Sequence, residues 1–224
     1  MIRIHAGARL ERPPGPKYLD ALDFAELQLV GPLPKPSTLA RWADDLPGSL
    51  TLSFVAPKPA MQSDRGPLRF DETMEAAFEW TLEASAALRA RFVVLETGPH
   101  VTTGQRDRDL MAAWIERWTG DARVVWQPAG LWDPELAAPF ARKLGVIQSF
   151  DPLEAMPGPT TALVYARMRA MGMRQRFGET ELLEVVDSLA AAPPDAERFV
   201  AIASERSFDE ARRLVQLAEL EDDE

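Results

Sequence analysis

Phe92-Val93-Val94-Leu95-Glu96 is a short apolar run rich in valine, and Arg123-Val124-Val125-Trp126 is a second run of the same kind further along the chain. Between the two runs, Leu110, Trp114 and Trp118 recur at the spacing of one helix face. Strands buried on both faces do not need to alternate polar and apolar residues. The order of strand, helix and strand therefore predicts a βαβ unit with parallel strands.

The same alternation repeats along the whole chain. Eight apolar runs are predicted to be strands: residues 2–6, 24–30, 50–55, 92–96, 123–126, 146–150, 161–167 and 199–203. Segments of helical period follow most of them, and the helix is expected to be lost or shortened only within residues 8–22 and 151–159. The sequence predicts an α/β fold, a small TIM-type (β/α)8-like barrel with one or two helices missing or reduced.

Several predicted helices have clear end signals. Ser37, Asp71 and Asp133 are predicted N-caps, since their side chains can accept hydrogen bonds from unpaired amides of the first turn. Gly145 is predicted to adopt the left-handed conformation that often follows a helix. Pro139 lies within the helix that starts at Asp133, so that helix is expected to be kinked or to start late.

The size and composition fit one globular domain. The chain has 224 residues, a net charge of −10 and no cysteine. We predict a single barrel domain over residues 1–218 and an acidic, solvated tail over residues 219–224. The lack of cysteine is compatible with a reducing cytoplasm, which is the expected location. Neither a secretory signal nor an apolar run of membrane-spanning length is recognisable, so no membrane association is expected.

The charge and the motifs disfavour several function classes. An acidic protein repels phosphate backbones, so no nucleic-acid partner is expected. No nucleotide-binding glycine motif or serine-hydrolase elbow is present. Zinc is not expected, because cysteine is absent and His5 and His100, the two histidines, are predicted to be surface or loop residues. No organic cofactor is expected either.

Several short motifs follow one another in a definite order along the chain. The first is a glutamate-bearing strand, a proline-rich turn and a helix with a tryptophan, at residues 24–47. The next are Leu52-Ser53-Phe54-Val55 with Lys58, Val93-Val94-Leu95-Glu96 before Pro99, Trp126 to Trp132, Val164-Tyr165-Ala166-Arg167, and Phe208-Asp209-Glu210-Ala211. In this order the motifs resemble the YecE-like family, domain of unknown function 72. The resemblance covers nearly the whole chain and implies a TIM-like barrel; it implies no settled activity.

The chain also departs from the family pattern at polar positions. The lysine-alanine-proline strand end becomes Ala56-Pro57-Lys58, and the fourth-strand glutamine becomes Glu96. The glutamate–arginine pair of the fifth strand falls on Trp126 and Pro128. The histidine-glycine after the seventh strand becomes Arg169-Ala170. These departures slightly favour a protein that keeps the fold but has lost part of the family's polar site.

Barrel sites gather at the carboxyl ends of the strands. The polar residues selected by that rule are Glu26, Gln28, Lys58, Glu96, Gln127, Asp151, Tyr165, Arg167, Arg169 and Glu205. Glu26, Glu96 and Tyr165 are the catalytic candidates. The two carboxylates could share acid–base work, with one of them kept protonated, or could bind magnesium or manganese. Each residue could equally form a structural ion pair inside the barrel.

An arginine-rich stretch offers a possible anion site. Residues 167–176 contain four arginines and no acid, although the chain is acidic overall. Loops after the seventh and eighth barrel strands often bind phosphate, so Arg167 and Arg169, with Lys58, are the anion-binding candidates. A solvated face that pairs with the surplus acids is the simpler alternative.

Two functions remain open on these observations. The favoured one is a non-catalytic or degenerate binding or interaction protein, whose partner is a small anion or another protein. The alternative is a barrel enzyme of the metal-dependent hydrolase or isomerase type that acts on a small anionic or phosphorylated substrate. The oligomeric state is open.

Overall fold

A computed structural model describes residues 2–157, 161–171 and 175–220 of the chain. Its strands are β1 (Ile4–Leu10), β2 (Phe24–Leu27), β3 (Thr51–Val55), β4 (Gln62–Ser63), β5 (Gly66–Pro67), β6 (Phe92–Glu96), β7 (Arg123–Gln127), β8 (Ile147–Phe150), β9 (Leu163–Arg169) and β10 (Glu197–Ala203). Its α-helices are α1 (Pro16–Leu19), α2 (Pro36–Asp44), α3 (Glu72–Ala87), α4 (Gln105–Glu116), α5 (Pro134–Leu144), α6 (Glu179–Ala190) and α7 (Ser207–Leu220).

Eight strands close a barrel in the order β1-β10-β9-β8-β7-β6-β3-β2. The pairs whose register is defined are all parallel, from β1 with β10 through to β3 with β6. The remaining two strands, β4 and β5, form a small antiparallel hairpin. The predicted TIM-type α/β barrel is therefore confirmed, and each predicted strand lies on a barrel strand.

The chain consists of two compact units. Unit 1 comprises residues 1–26, 48–51 and 149–224, and unit 2 comprises residues 27–47 and 52–148. The core of unit 1 includes Phe24, Tyr165 and Phe199, and that of unit 2 includes Trp114 and Trp126, all fully buried. None of the described helices is long and apolar enough to span a membrane.

The helices follow the prediction with some differences. Helix α1 has four residues, and the described residues between β8 and β9 form turns without a helix, as expected for the two weak connections. Asp71 and Asp133 cap α3 and α5 through the amides of Met74 and Leu136. Gly145 is left-handed, with φ of 69°.

One expectation about helix ends was wrong. Ser37 is not an N-cap, because α2 already begins at Pro36, whose fixed φ suits the first turn, and Lys35 occupies the cap position. Helix α5 begins at Pro134 and runs through Pro139, so of the two alternatives expected for it the late start is excluded. Helix α7 extends to Leu220, and residues 221–224 of the predicted tail lie outside the described part of the chain.

Gly7 and Tyr18 join the first two barrel strands. A Cβ atom on Gly7 would lie 2.1 Å from the carbonyl oxygen of Phe24, so only glycine allows β1 to approach β2 this closely. The buried Tyr18 hydroxyl accepts a hydrogen bond from the Ala8 amide at 2.8 Å and donates one to the Phe24 carbonyl at 2.7 Å. Burial raises the pKa of Tyr18 far above its ordinary value, so the hydroxyl remains a donor.

Replacing Tyr18 with Phe is expected to destabilise the fold. The change leaves the Ala8 amide and the Phe24 carbonyl without their hydroxyl partner, at a cost of about 1–3 kcal/mol. For a chain of this length that corresponds to a fall in melting temperature of roughly 2–12 °C. Differential scanning calorimetry measures it, and an unchanged melting temperature would show that the bridge contributes nothing to stability.

Candidate functional site

Three neighbouring strands of unit 1 place their side chains in layers. The register sets His5 beside Phe199 and Phe199 beside Tyr165, and the rings of His5 and Phe199 stack with centroids 4.9 Å apart. Side chains two residues further along each strand point to the same face. The next layer toward the carboxyl ends therefore contains Gly7, Ala201 and Arg167.

A third layer lies closest to the carboxyl ends of these strands. Ala203 pairs with Arg169, and the register places Arg9 one step beyond the last paired residues of β1 and β10. The middle strand thus contributes only Ala201 and Ala203 to the two outer layers. Small side chains on β10 therefore lie between strands that carry arginines on the same face.

Glu26 is the centre of a buried polar cluster in unit 1. Its Oε1 accepts hydrogen bonds from Arg167 Nη2 at 2.8 Å and from Arg9 Nε at 2.9 Å. Its Oε2 accepts one from the Tyr165 hydroxyl at 2.9 Å. Because β2 and β9 are not adjacent in the strand order, these contacts cross the barrel interior. Glu26, Tyr165 and Arg167, which the sequence selected separately, therefore come together.

The cluster keeps Glu26 ionised. Burial by itself would raise the pKa of its carboxyl, but the charges of Arg167 and Arg9 and the hydrogen bonds from Arg167 and Tyr165 outweigh burial and hold the pKa below its usual range. This argues against the alternative in which burial keeps Glu26 protonated as a general acid. Glu26 serves instead as the counter-ion that holds two guanidinium groups.

The remaining catalytic and anion-binding candidates lie on other elements or at a strand end. Glu96 ends β6, and Lys58 lies in a single 3-10 turn after β3; both are exposed residues of unit 2. Arg169 ends β9 and is also exposed. Of the remaining arginines in the arginine-rich stretch, Arg176 is exposed and Arg174 lies outside the described residues.

Arg9 was missed by the sequence analysis. The first strand was expected over residues 2–6, because Ala6-Gly7-Ala8 has low strand propensity, so Arg9 was assigned to the following connection. The strand in fact runs to Leu10 and brings Arg9 to Glu26. The alternation of His5, Gly7 and Arg9 on one face was the signal that could have revealed it.

The two histidines were predicted to be surface or loop residues, and only His100 is one. The described residues also give no support for metal ligation. His5 lies on β1, where its Nδ1 is 2.8 Å from Asp23 Oδ2, so the expectation of a surface or loop residue was wrong. His100 is an exposed turn residue, as expected. Within the described residues, no three histidine, aspartate or glutamate side chains gather where they could hold a metal ion.

Comparison with known proteins finds similarity in structure only. The sequence matches no protein-family model and no curated protein. A crystal structure of a DUF72 family protein from Enterococcus faecalis superposes with a TM-score of 0.69 at 12% identity, covering 98% of this chain and 96% of that chain. A DUF72 family protein from Thermotoga maritima superposes with a TM-score of 0.64 at 15% identity, covering 99% of each chain. The resemblance to domain of unknown function 72 is thus confirmed at the level of the fold: the chain has the barrel fold of these DUF72 family proteins.

Proposed function

We propose that this protein is a divergent DUF72 barrel that binds a small anion, without catalysis, at the carboxyl ends of β1, β9 and β10. Arg9, Arg167 and Arg169 are the anion contacts, and phosphate or a phosphate ester is the ligand class. One observation carries the proposal: a single buried carboxylate, Glu26, holds two guanidinium groups, those of Arg9 and Arg167.

The cationic groups of the cluster favour an anion. The cluster brings two guanidinium groups to one carboxylate, and Arg169 adds a further positive charge in the outer layer. Arginine presents paired donors that suit oxyanions. An anion above Ala201 and Ala203 would lie beside these groups.

The role of Glu26 favours binding over acid–base catalysis. Both of its oxygens already accept hydrogen bonds, one from Tyr165 and the other from the two arginines. A carboxylate engaged in this way, with its pKa lowered, is a weak base and positions the guanidinium groups.

Thermal melting with phosphate tests the proposal. We expect the melting temperature of the wild type to rise with millimolar phosphate and to keep rising with each tenfold increase once the site is filled, because a ligand of the folded state stabilises by mass action. Chloride at equal ionic strength should not produce the same rise. Arg167→Ala should abolish the phosphate response.

Two further variants separate binding from folding. Arg169 is exposed, so Arg169→Ala should leave the protein folded and weaken phosphate binding by roughly tenfold, the value of one charge-assisted hydrogen bond. Arg142→Ala, an exposed arginine on α5, is the matched control and should respond like the wild type. No phosphate response in the wild type, or equal responses in the wild type and both site variants, would refute anion binding here.

A further inference from the structure

We propose a second binding site, separate from the anion site at the ends of β1, β9 and β10. It is a groove between α4 and α5, within unit 2, with a volume of about 240 Å³. The ligand class is a small carboxylate with an apolar body of about one ring. The site does not depend on the proposed function, because it shares no residue with the arginine cluster.

Helical spacing builds both walls of the groove. The α4 wall consists of residues three, four and seven positions apart: Gln105, Arg108, Asp109 and Ala112. The α5 wall consists of two adjacent pairs one turn apart: Pro139 with Phe140, and Lys143 with Leu144. Residues at these spacings share one side of a helix. Each helix therefore turns a single face, with both charged and apolar side chains, to the groove.

The apolar part of the groove suits a single ring. Phe140 is buried, and its ring stacks on that of Trp132 with centroids 5.1 Å apart, so this part of the wall is fixed. The Pro139 ring adds a rigid apolar surface, and Ala112 and Leu144 are half-buried. A cavity of about 150 Å³ is enough to hold benzene. The groove therefore has room for one ring and its carboxylate.

Arg108 is held at this apolar wall. Its guanidinium lies over the rings of Phe140 and Trp132, 5.1 and 4.9 Å from their centroids. Its Nε donates to the Thr103 carbonyl at 2.7 Å. In the described part of the chain, no carboxylate forms an ion pair with Arg108 or with Lys143. The terminal N–H groups of Arg108 can therefore bind a planar carboxylate.

The charges that line the groove favour a monoanion. Arg108 and Lys143 are cationic, and Asp109, which accepts a hydrogen bond from Gln105 at 2.7 Å, is anionic. Two positive charges and one negative charge leave one positive charge, which one carboxylate neutralises. A dianion such as a phosphate ester would be repelled by Asp109. The groove and the proposed anion site are therefore expected to select different ligands.

An NMR titration of the backbone amide signals with benzoate and benzamide tests the proposal. The two probes share the ring and differ in charge. We expect benzoate to shift the amides of α4 and α5 and to bind about tenfold more tightly than benzamide, the value of one charge-assisted hydrogen bond. Lys143→Ala should weaken benzoate binding roughly two- to fivefold, the contribution of an exposed ion pair. Arg142→Ala, the exposed neighbour on α5, is the matched control and should bind like the wild type.

A steric pair of variants completes the test. Ala112→Leu fills the groove and should abolish benzoate binding, whereas Ala113→Leu, at an exposed neighbouring position of α4, should not. If Ala112→Leu does not fold, the comparison of Lys143→Ala with Arg142→Ala decides. Equal affinities for the two probes, unchanged benzoate binding by Lys143→Ala, or amide shifts confined to β1, β9 and β10 would overturn the proposal. Arg167→Ala should leave benzoate binding unchanged, so failure of the anion site and failure of the groove are distinguishable.

Discussion

Replacing Glu26 with Gln should lower the free energy of unfolding by about 3–5 kcal/mol, the usual cost of removing one partner from a buried ion pair. The change removes the buried carboxylate that pairs with Arg9 and Arg167 inside unit 1. Urea denaturation monitored by tryptophan fluorescence measures the loss. Glu184→Gln is the matched control: Glu184 is an exposed residue on α6, and its replacement should change stability by less than about 0.5 kcal/mol.

The pH dependence of this loss follows from the pKa of Glu26. Because the folded-state pKa lies below the ordinary glutamate value, the stabilisation is fully present above that ordinary value, about 4.3, and is lost as the pH falls through the lower folded-state pKa. The stability difference between the wild type and Glu26→Gln should be constant from about pH 6 to 8 and shrink below about pH 4. Equal stabilities near neutral pH would show that the cluster contributes nothing to the fold.

Arg198→Met should produce a loss of similar size, about 3–5 kcal/mol, for a different reason. The Arg198 guanidinium is buried at the C-terminal end of α6 and donates to four carbonyls, those of Leu189, Ala192, Pro193 and Ala196, at 2.6–3.0 Å. Methionine fills a similar volume but donates no hydrogen bond, so these acceptors lose their partner, and the positive charge near the helix C-terminus is lost.

Two comparisons make the Arg198 prediction specific. Arg198→Lys retains the charge but cannot present donors to four carbonyls in the same geometry, so its stability should lie between those of the wild type and Arg198→Met. Arg123→Met, at an exposed position at the start of β7, should remain within about 0.5 kcal/mol of the wild type. A melting temperature of Arg198→Met that equals that of Arg123→Met would contradict the capping role.

The barrel could be predicted from the sequence because the alternation of strand and helix patterns repeats along the whole chain. Eight apolar runs separated by helical segments allow few other topologies, and an error of a few residues at any one strand does not change the count. The hairpin of β4 and β5 was missed because each of its strands has only two residues, Gln62–Ser63 and Gly66–Pro67, and neither has a hydrophobic period.

The polar cluster could be predicted only in part, because its contacts join residues that are far apart in the chain. Tyr165 and Arg167 share a face of one strand, which the period of two reveals, and Glu26 lies on another predicted strand. Their meeting depends on barrel closure, which brings together residues 139 and 141 positions apart in the chain. Arg198 gave no signal at all, because its partners are carbonyls, which every residue carries.

In the proposed site, an anion bound to Arg9 and Arg167 competes with Glu26 for the same guanidinium groups. Glu26→Gln removes the competing negative charge. The substitution should therefore lower the stability of the fold and raise the affinity for the anion. This opposition distinguishes an anion site from a purely structural ion pair.

Calorimetric titration of inorganic phosphate into the wild type and Glu26→Gln, side by side at low ionic strength, tests the central claim most directly. We predict one phosphate bound per chain in both proteins, with an affinity several-fold higher in the variant, because the cluster loses the carboxylate that repels the ligand. No binding by the wild type, or weaker binding by folded Glu26→Gln, would contradict the account and leave the cluster as a structural element of the barrel.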